Sequence, residues 1–357
     1  MATPLRPAAG GGASISMRLV NGAFLSKNRI RSAREHGLPD DDRQIDYLDS
    51  GVKCGTPMAP DDHEVSHMFG DRIAVIRALT PNIGDDMQTV AAARYVPKPA
   101  MLDRDRLDRV WRLSGKYRTI MNGWYMYRPE SWPPSRAIDP LLVSMHLSNR
   151  VGRLSKQGLR TREHLLSGDN LAYFKHHAAK RAIGARDLST LEALQKAGVE
   201  AYFSGCLTLT LQPRNLPRSD AVLAVDVAPE ALAQIEKKSG VPIATLTHKI
   251  KTGMALGGRL RLIDELLASY ETARVVVTSR LHVALPCLAL GTPVFFVHKN
   301  LDDPRFGGLI NLVHAAPVTD VAAGRFDYDL NAPPANADDW KPIAQKLRQT
   351  VEAFVGH

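Results

Sequence analysis

Cysteine is scarce in this chain of 357 residues: Cys54, Cys206 and Cys287 are far apart, odd in number and form no Cys-x-x-Cys pair. That pattern argues against both a disulfide framework and a cysteine-ligated zinc site. Cys287, within an apolar helical pattern, reads as a small core residue. Long apolar runs are also missing, since no stretch reaches the roughly 18 to 20 residues of a membrane span. Residues 1–16 are rich in Pro, Ala and Gly without the apolar core of a secretory signal, so the expected location is cytoplasmic. Nor is there a run of Lys and Arg interleaved with aromatics, which counts against a nucleic-acid groove.

What the chain does have is the make-up of a folded protein, 44% hydrophobic and 23% charged, with a net charge of +9 and a sequence pI near 9.5. That surplus of positive charge favours acidic small molecules or anionic surfaces. The length fits two domains of about 150 residues each, plus extensions. Residues 1–70 carry turn formers and no sustained periodicity, and read as an irregular N-terminal extension. From there strands are expected at 71–79, 117–122, 141–146, 182–185 and 200–204, with helices at 85–95, 171–179 and 187–197. The Pro-rich segment 212–217 reads as an interdomain linker. Beyond it strands at 221–225, 243–247, 275–277 and 293–297 alternate with helices at 229–238, 261–270 and 279–291, and a last helix spans 340–354. Strands separated by helices predict an α/β fold with a parallel sheet in each half. The domains divide as 71–215 and 216–330, with 331–357 packing back across them.

The most informative unit is 274–298, where a buried strand runs through Thr278-Ser279 directly into an apolar helix. Ser279 is the expected N-cap, which would aim free amides into the crevice at the strand's C-terminal end. Arg280 and His282 fall in that first turn. A guanidinium, an imidazole and helix-end amides together predict a pocket for phosphate or carboxylate. The plainer alternative is a capped β-α-β unit with an exposed Arg and His.

Several segments together resemble the polysaccharide pyruvyl transferase family. They are Pro81-Asn82-Ile83-Gly84-Asp85-Asp86-Met87-Gln88, Asn122-Gly123-Trp124-Tyr125-Met126-Tyr127 and Ile183-Gly184-Ala185-Arg186-Asp187-Leu188-Ser189-Thr190. With them go Ala201-Tyr202-Phe203-Ser204-Gly205-Cys206-Leu207-Thr208, Ser279-Arg280-Leu281-His282 and Asp303-Pro304-Arg305-Phe306. In order and approximate spacing they cover residues 71 to about 315. The resemblance implies two Rossmann-like domains facing a cleft (GT-B-like), an acceptor side in the first and a donor side in the second. It also implies transfer of pyruvate from phosphoenolpyruvate (PEP) onto two hydroxyls of a sugar, giving a cyclic ketal in a polysaccharide.

Such chemistry needs cations for two anionic groups, a general acid for the PEP methylene and a base for the incoming hydroxyl. It requires no metal and no cofactor beyond PEP as co-substrate, and no cluster has metal-ligand spacing. The resemblance puts Ser279, Arg280, Leu281 and His282 at the donor, with His282 as the acid. Arg186 and the weaker Arg305 are further anion clamps; the alternative for Arg186 is a solvated side chain beside a capping Asp187. Asp85, or His146 in its place, is the candidate base, with Asp86 beside it. Carboxylates at a helix start can equally be structural, and His146 a satisfied core residue. Trp124 and Tyr125 are placed to stack on a sugar, or to pack in the core. His248 lies at the cleft edge, and His176-His177 is read as structural. Expected partners are PEP and a saccharide acceptor, free or lipid-linked, with peripheral contact at the inner membrane face and no nucleic acid. Two other functions compete: a GT-B glycosyltransferase using a nucleotide sugar, and a non-enzymatic polysaccharide-binding accessory protein.

Overall fold

Parallel strands are covered on both faces, so they form where branched apolar residues run together. Val222–Val225 and Val275–Thr278 are wholly buried examples. The computed structural model describes residues 72–110, 116–125 and 127–356; the expectations for residues 1–71, Cys54 included, and for Met126 lie outside the described residues.

Eleven strands among the described residues make two sheets, and every pairing in both is parallel. The first holds β1 (Arg72–Arg77), β2 (Ala100–Asp103), β3 (Tyr117–Tyr125), β4 (Ile138–Leu147), β5 (Ile183–Ala185) and β6 (Ala201–Phe203), in the order β2-β1-β3-β4-β5-β6. The second holds β7 (Val222–Val225), β8 (Ile243–Leu246), β9 (Val275–Thr278), β10 (Val294–His298) and β11 (His314–Pro317), in the order β11-β10-β9-β7-β8. Residues 212–219 pass between them without regular structure. In each sheet the chain order reverses once, between β1 and β3 and between β7 and β9. Open α/β sheets bind ligands beyond the strand C-termini at such switch points.

The helices are α1 (Gly84–Ala93), α2 (Thr161–Leu165), α3 (Gly168–Ala178), α4 (Leu188–Lys196), α5 (Pro229–Ser239), α6 (Leu256–Thr272), α7 (Leu281–Ala289), α8 (Val318–Ala322) and α9 (Trp340–Val355). No described helix is long and apolar enough to cross a membrane. The structure is thus the mixed α/β fold with parallel sheets expected from the strand–helix alternation. Neither β2, β11, α2 nor α8 was anticipated. α6 begins five residues before its expected start, because Gly257 and Gly258 break the apolar pattern without breaking the helix. α9 lies on the first lobe: the Arg118 and Arg181 guanidiniums sit 5.0 and 5.1 Å from the Phe354 ring, and the Lys346 ammonium 4.4 Å from the Tyr202 ring.

The two lobes share one apolar core, in which Ile83 and Met87 of α1's approach and face meet Ile263, Val283 and Leu285 of the second lobe. Backbone bonds cross at the same place. Ile83 N–H donates to His248 O at 2.9 Å, Ile250 N–H donates to Pro81 O at 2.9 Å, and Asn82 and Lys249 form an antiparallel bridge. Beside them, Arg259 of α6 reaches the first lobe. Its Nε donates to both Asp86 carboxylate oxygens at 3.1 Å, and its Nη2 to Thr80 O at 2.7 Å and to Asp86 Oδ2. Both side chains are buried.

Breaking one partner of a buried ion pair leaves the other charge uncompensated, which costs about 3–5 kcal/mol. Arg259→Met is therefore expected to lower unfolding free energy by about that much, measured by urea titration. Burial raises the Asp86 carboxyl to about 6, despite the Arg259 bonds that pull it down. Asp86 consequently holds a proton in the folded state at pH 5 that it lacks at pH 8. The Arg259→Met penalty should be larger at pH 8 than at pH 5, and an equal penalty at both would contradict a charged pair.

Candidate active site

Both switch points open onto one pocket of about 140 Å³, lined by residues of both lobes. The first lobe contributes Asn82 and Gly84 after β1, Trp124 near the end of β3 and Arg186 after β5. The second contributes His248 after β8, Ser279 to His282 after β9, His298 at the end of β10, and Arg305 and Phe306 beyond it. Gly84 lets the lobes close up. A Cβ there would lie 3.2 Å from both Asn82 Oδ1 and His248 Nδ1, and 3.3 Å from His282 Cβ.

Three guanidiniums and three imidazoles line this pocket, and no carboxylate among the described residues does. Each arginine is held from behind by an Asp. Arg186 Nη2 lies 3.4 Å from Asp187 Oδ2, Arg280 Nε donates to Asp226 Oδ2 at 2.8 Å, and Arg305 makes two 2.8 Å bonds to Asp303. Burial raises all three carboxyls, but their hydrogen bonds and the facing cations win and hold each below the ordinary carboxylate value. The carboxylates stay ionised and hold the arginines by charge-assisted bonds.

The histidines are neutral. Burial and the Arg186 guanidinium, the His248 ring and Arg305 drive His282 well below its ordinary value, against a bond to the Gly84 backbone. His248 falls to about 4 by burial, and its Nε2 lies 2.7 Å from Tyr270 Oη. Arg186 Nε, His248 Nδ1 and His282 Nε2 are buried and find no hydrogen-bond partner among the described residues.

The helix start differs from expectation. α7 opens at Leu281 with Arg280 in the N-cap position, and no side chain caps it. Ser279 is committed elsewhere: its Oγ donates to Asp226 O at 2.6 Å, while Thr278 Oγ1 accepts from Arg280 N–H at 2.9 Å. The first turn is irregular at His282 (φ −79°, ψ 17°). Pro286, four residues on, has no N–H to hold the His282 carbonyl. Leu281 and His282, at the first turn, nonetheless line the pocket.

Of the residues singled out from sequence, Arg186, Arg280, Arg305, His248, His282, Ser279, Leu281 and Trp124 come together here. Asp85, Asp86 and His146 do not line the pocket. Asp85 is buried, accepting from Thr80 Oγ1 at 2.7 Å and Asn82 Nδ2 at 3.4 Å with Arg104 3.6 Å away, and Asp86 is taken up by Arg259. His146 lies one layer back, its Nδ1 2.6 Å from Asp187 Oδ2 and its ring edge-on to Trp124 at 5.5 Å. Burial and the Arg186 charge lower it to about 4, so its neutral ring donates Nδ1–H to Asp187. Trp124 is not a free stacking surface, because Arg305 and Arg186 sit 5.3 and 6.0 Å from its ring centroid. Tyr125 points to the other face of β3 and packs edge-on to Trp132 at 5.2 Å. Cys206 and Cys287 are buried in the core, and His176 and His177 lie on α3, away from the pocket.

Sequence reasoning missed Asp226 and His298. The available signal was shared: each stands at the C-terminal edge of a buried run, Val222–Val225 or the β10 valines and phenylalanines, where a parallel strand delivers its side chains to the crevice.

The comparison with curated proteins gives no match. Among solved structures, a Methanocaldococcus jannaschii UDP-GlcNAc 2-epimerase in complex with UDP-GlcNAc and UDP is 10% identical, covering 78% of this chain and 99% of that one at a TM-score of 0.37. The wall teichoic acid polymerase TagF is 12% identical over 80% and 83% of the two chains, also at 0.37. The E. coli heptosyltransferase WaaC with ADP is 11% identical over 79% and 99%, at 0.25. In sequence, residues 82–297 match the family described as polysaccharide pyruvyl transferase, a span that runs from the loop before α1 through β10 and takes in both switch points. The chain belongs to the polysaccharide pyruvyl transferase family.

Proposed function

We propose that this protein moves pyruvate from PEP onto two hydroxyls of a sugar in polysaccharide biosynthesis, forming a cyclic ketal and releasing phosphate. The observation that carries the reading is a pocket lined, among the described residues, by three guanidiniums and no carboxylate, at the switch points of both sheets. A donor with a phosphate and a carboxylate needs such a lining. The acceptor is a saccharide, free or lipid-linked, entering from the open side of the pocket.

In the reaction a proton adds to the PEP methylene, which becomes the ketal methyl group. The adjacent carbon takes the first sugar hydroxyl, the C–O bond to phosphate breaks, and the second hydroxyl closes the ring. The two hydroxyl protons balance the one added to carbon and the one leaving with phosphate. Arg186, Arg280 and Arg305 bind the two anionic groups, and first-turn N–H groups of α7 add to the phosphate side. His282 is the acid, in a form that differs from a histidine titrating freely near pH 7. Burial first, then Arg186, His248 and Arg305, keep it neutral in the empty pocket, and the donor's negative charge offsets the cationic part of that shift. It then takes up the proton it passes to carbon. Neither Asp85 nor Asp86 serves as base in this scheme; departing phosphate, held by the arginines, accepts the hydroxyl proton.

The direct test is phosphate release from PEP against a panel of lipid-linked oligosaccharides and free glycosides. Consumption of a nucleotide sugar with PEP intact, or saccharide binding with neither consumed, would replace the proposal with one of its rivals. Arg280→Ala is expected to lower kcat/KM for PEP by about 10- to 100-fold, the worth of a charge-assisted bond, mostly through KM. His282→Gln should lower kcat by about 10²–10⁴-fold with a smaller change in KM. Because free His282 is neutral at pH 7, each productive encounter needs one proton brought in with the donor or from solvent. In kcat/KM this predicts a fall of about tenfold per pH unit above pH 7, absent in His282→Gln. A profile that rises with pH would contradict His282 as the acid.

A further inference from the structure

We infer that Asp226 is the positioning residue of the anion pocket, aiming Arg280 by its Nε and fixing the backbone of His248 with the same carboxylate. The inference rests on reading the pocket as an anion site. Pairing of Val225 with Thr278 in the sheet brings Asp226 out beside Ser279 and Arg280 at the second switch point. Asp226 has φ +51°, in the left-handed region that non-glycine residues rarely occupy and that Asp tolerates better than most. That turn puts both carboxylate oxygens to use. Oδ1 accepts from Thr247 Oγ1 at 2.7 Å, and Oδ2 accepts from His248 N–H at 3.1 Å and from Arg280 Nε at 2.8 Å. Its main-chain oxygen accepts from Ser279 Oγ.

The consequence is directional. Arg280 spends Nε on Asp226, so its planar fork keeps both terminal nitrogens for the pocket, to which Asp226 itself contributes no wall. Through Thr247 Oγ1, which accepts from Lys249 N–H at 3.1 Å, the network also reaches the Asn82–Lys249 bridge to the other lobe. One carboxylate thus sets the direction of a donor-binding arginine and the place of the histidine loop facing it.

A double-mutant cycle on the full chain tests this, using inorganic phosphate as the probe in calorimetric titration, with PEP kinetics alongside. Asp226→Asn should weaken phosphate binding about tenfold and raise KM for PEP similarly, with kcat within about twofold. In the Arg280→Ala background the same substitution should cost about twofold at most, since only the His248 contact is then left to lose. Arg280→Lys keeps the charge without the Nε tie and leaves Asp226 intact. It should lose phosphate affinity as Asp226→Asn does, and so keeps the question open to measurement if Asp226→Asn folds poorly. Additive losses in the double variant, or unchanged phosphate affinity in Asp226→Asn and Arg280→Lys, overturn the inference, as does a wild-type chain that binds no phosphate. A chain that shows the coupling yet releases no phosphate from PEP overturns the proposed function and leaves the role of Asp226 standing.

Discussion

The site depends on the way the two lobes are fastened beside it. A buried Arg259–Asp86 pair, two backbone hydrogen bonds and the Asn82–Lys249 bridge all cross within a few residues of Gly84. That crossing fixes the spacing between the first helix of one lobe and the histidine-bearing loops of the other. Desolvating two charges is expensive, and such a pair adds little net stability compared with apolar packing. Its value is geometric: Arg259 also takes the Thr80 carbonyl, which ties the loop leading to Gly84 to the other lobe. Histidines 248 and 282 then face Gly84 at contact distance, and the pocket has a fixed wall on each side.

Within that frame the electrostatics follow one plan. Ionised carboxylates stand behind the arginines, while burial and the same arginines empty the histidines of charge. The result is a cationic surface on which Arg186 is buried and Arg280 and Arg305 are partly exposed, each beside its own carboxylate. Trp124 contributes by offering its ring to both Arg186 and Arg305. An anion entering the pocket meets donors already aimed and pays little to order them.

Much of this was legible in the sequence where local chemistry decides structure. The unit from β9 through α7 to β10 could be read because three consecutive buried valines, an apolar helix and a Gly-Thr-Pro stop leave few alternatives, and Arg280 and His282 followed from it. The short edge strands were not legible. β2 is Ala-Met-Leu-Asp and β11 is His-Ala-Ala-Pro, and they are strands because Ala74 and Phe295 of their neighbours offer pairing, not because of their own residues. The acidic pair at the start of α1 was visible, but Arg259, the partner that buries Asp86, stands 173 residues away. Asp226 was hidden for the same reason, since only the order β9-β7-β8 puts it beside Arg280 and Thr247. Trp124 and Tyr125 carry a lesson that strand alternation already contained: adjacent residues cannot both face one pocket.

The most direct measurement is a crystal structure of this protein with PEP bound. The account requires the phosphate and carboxylate to lie among Arg186, Arg280 and Arg305 with His282 Nε2 facing the methylene carbon. PEP bound away from those arginines, or a nucleotide sugar filling the pocket while PEP fails to bind, would contradict it.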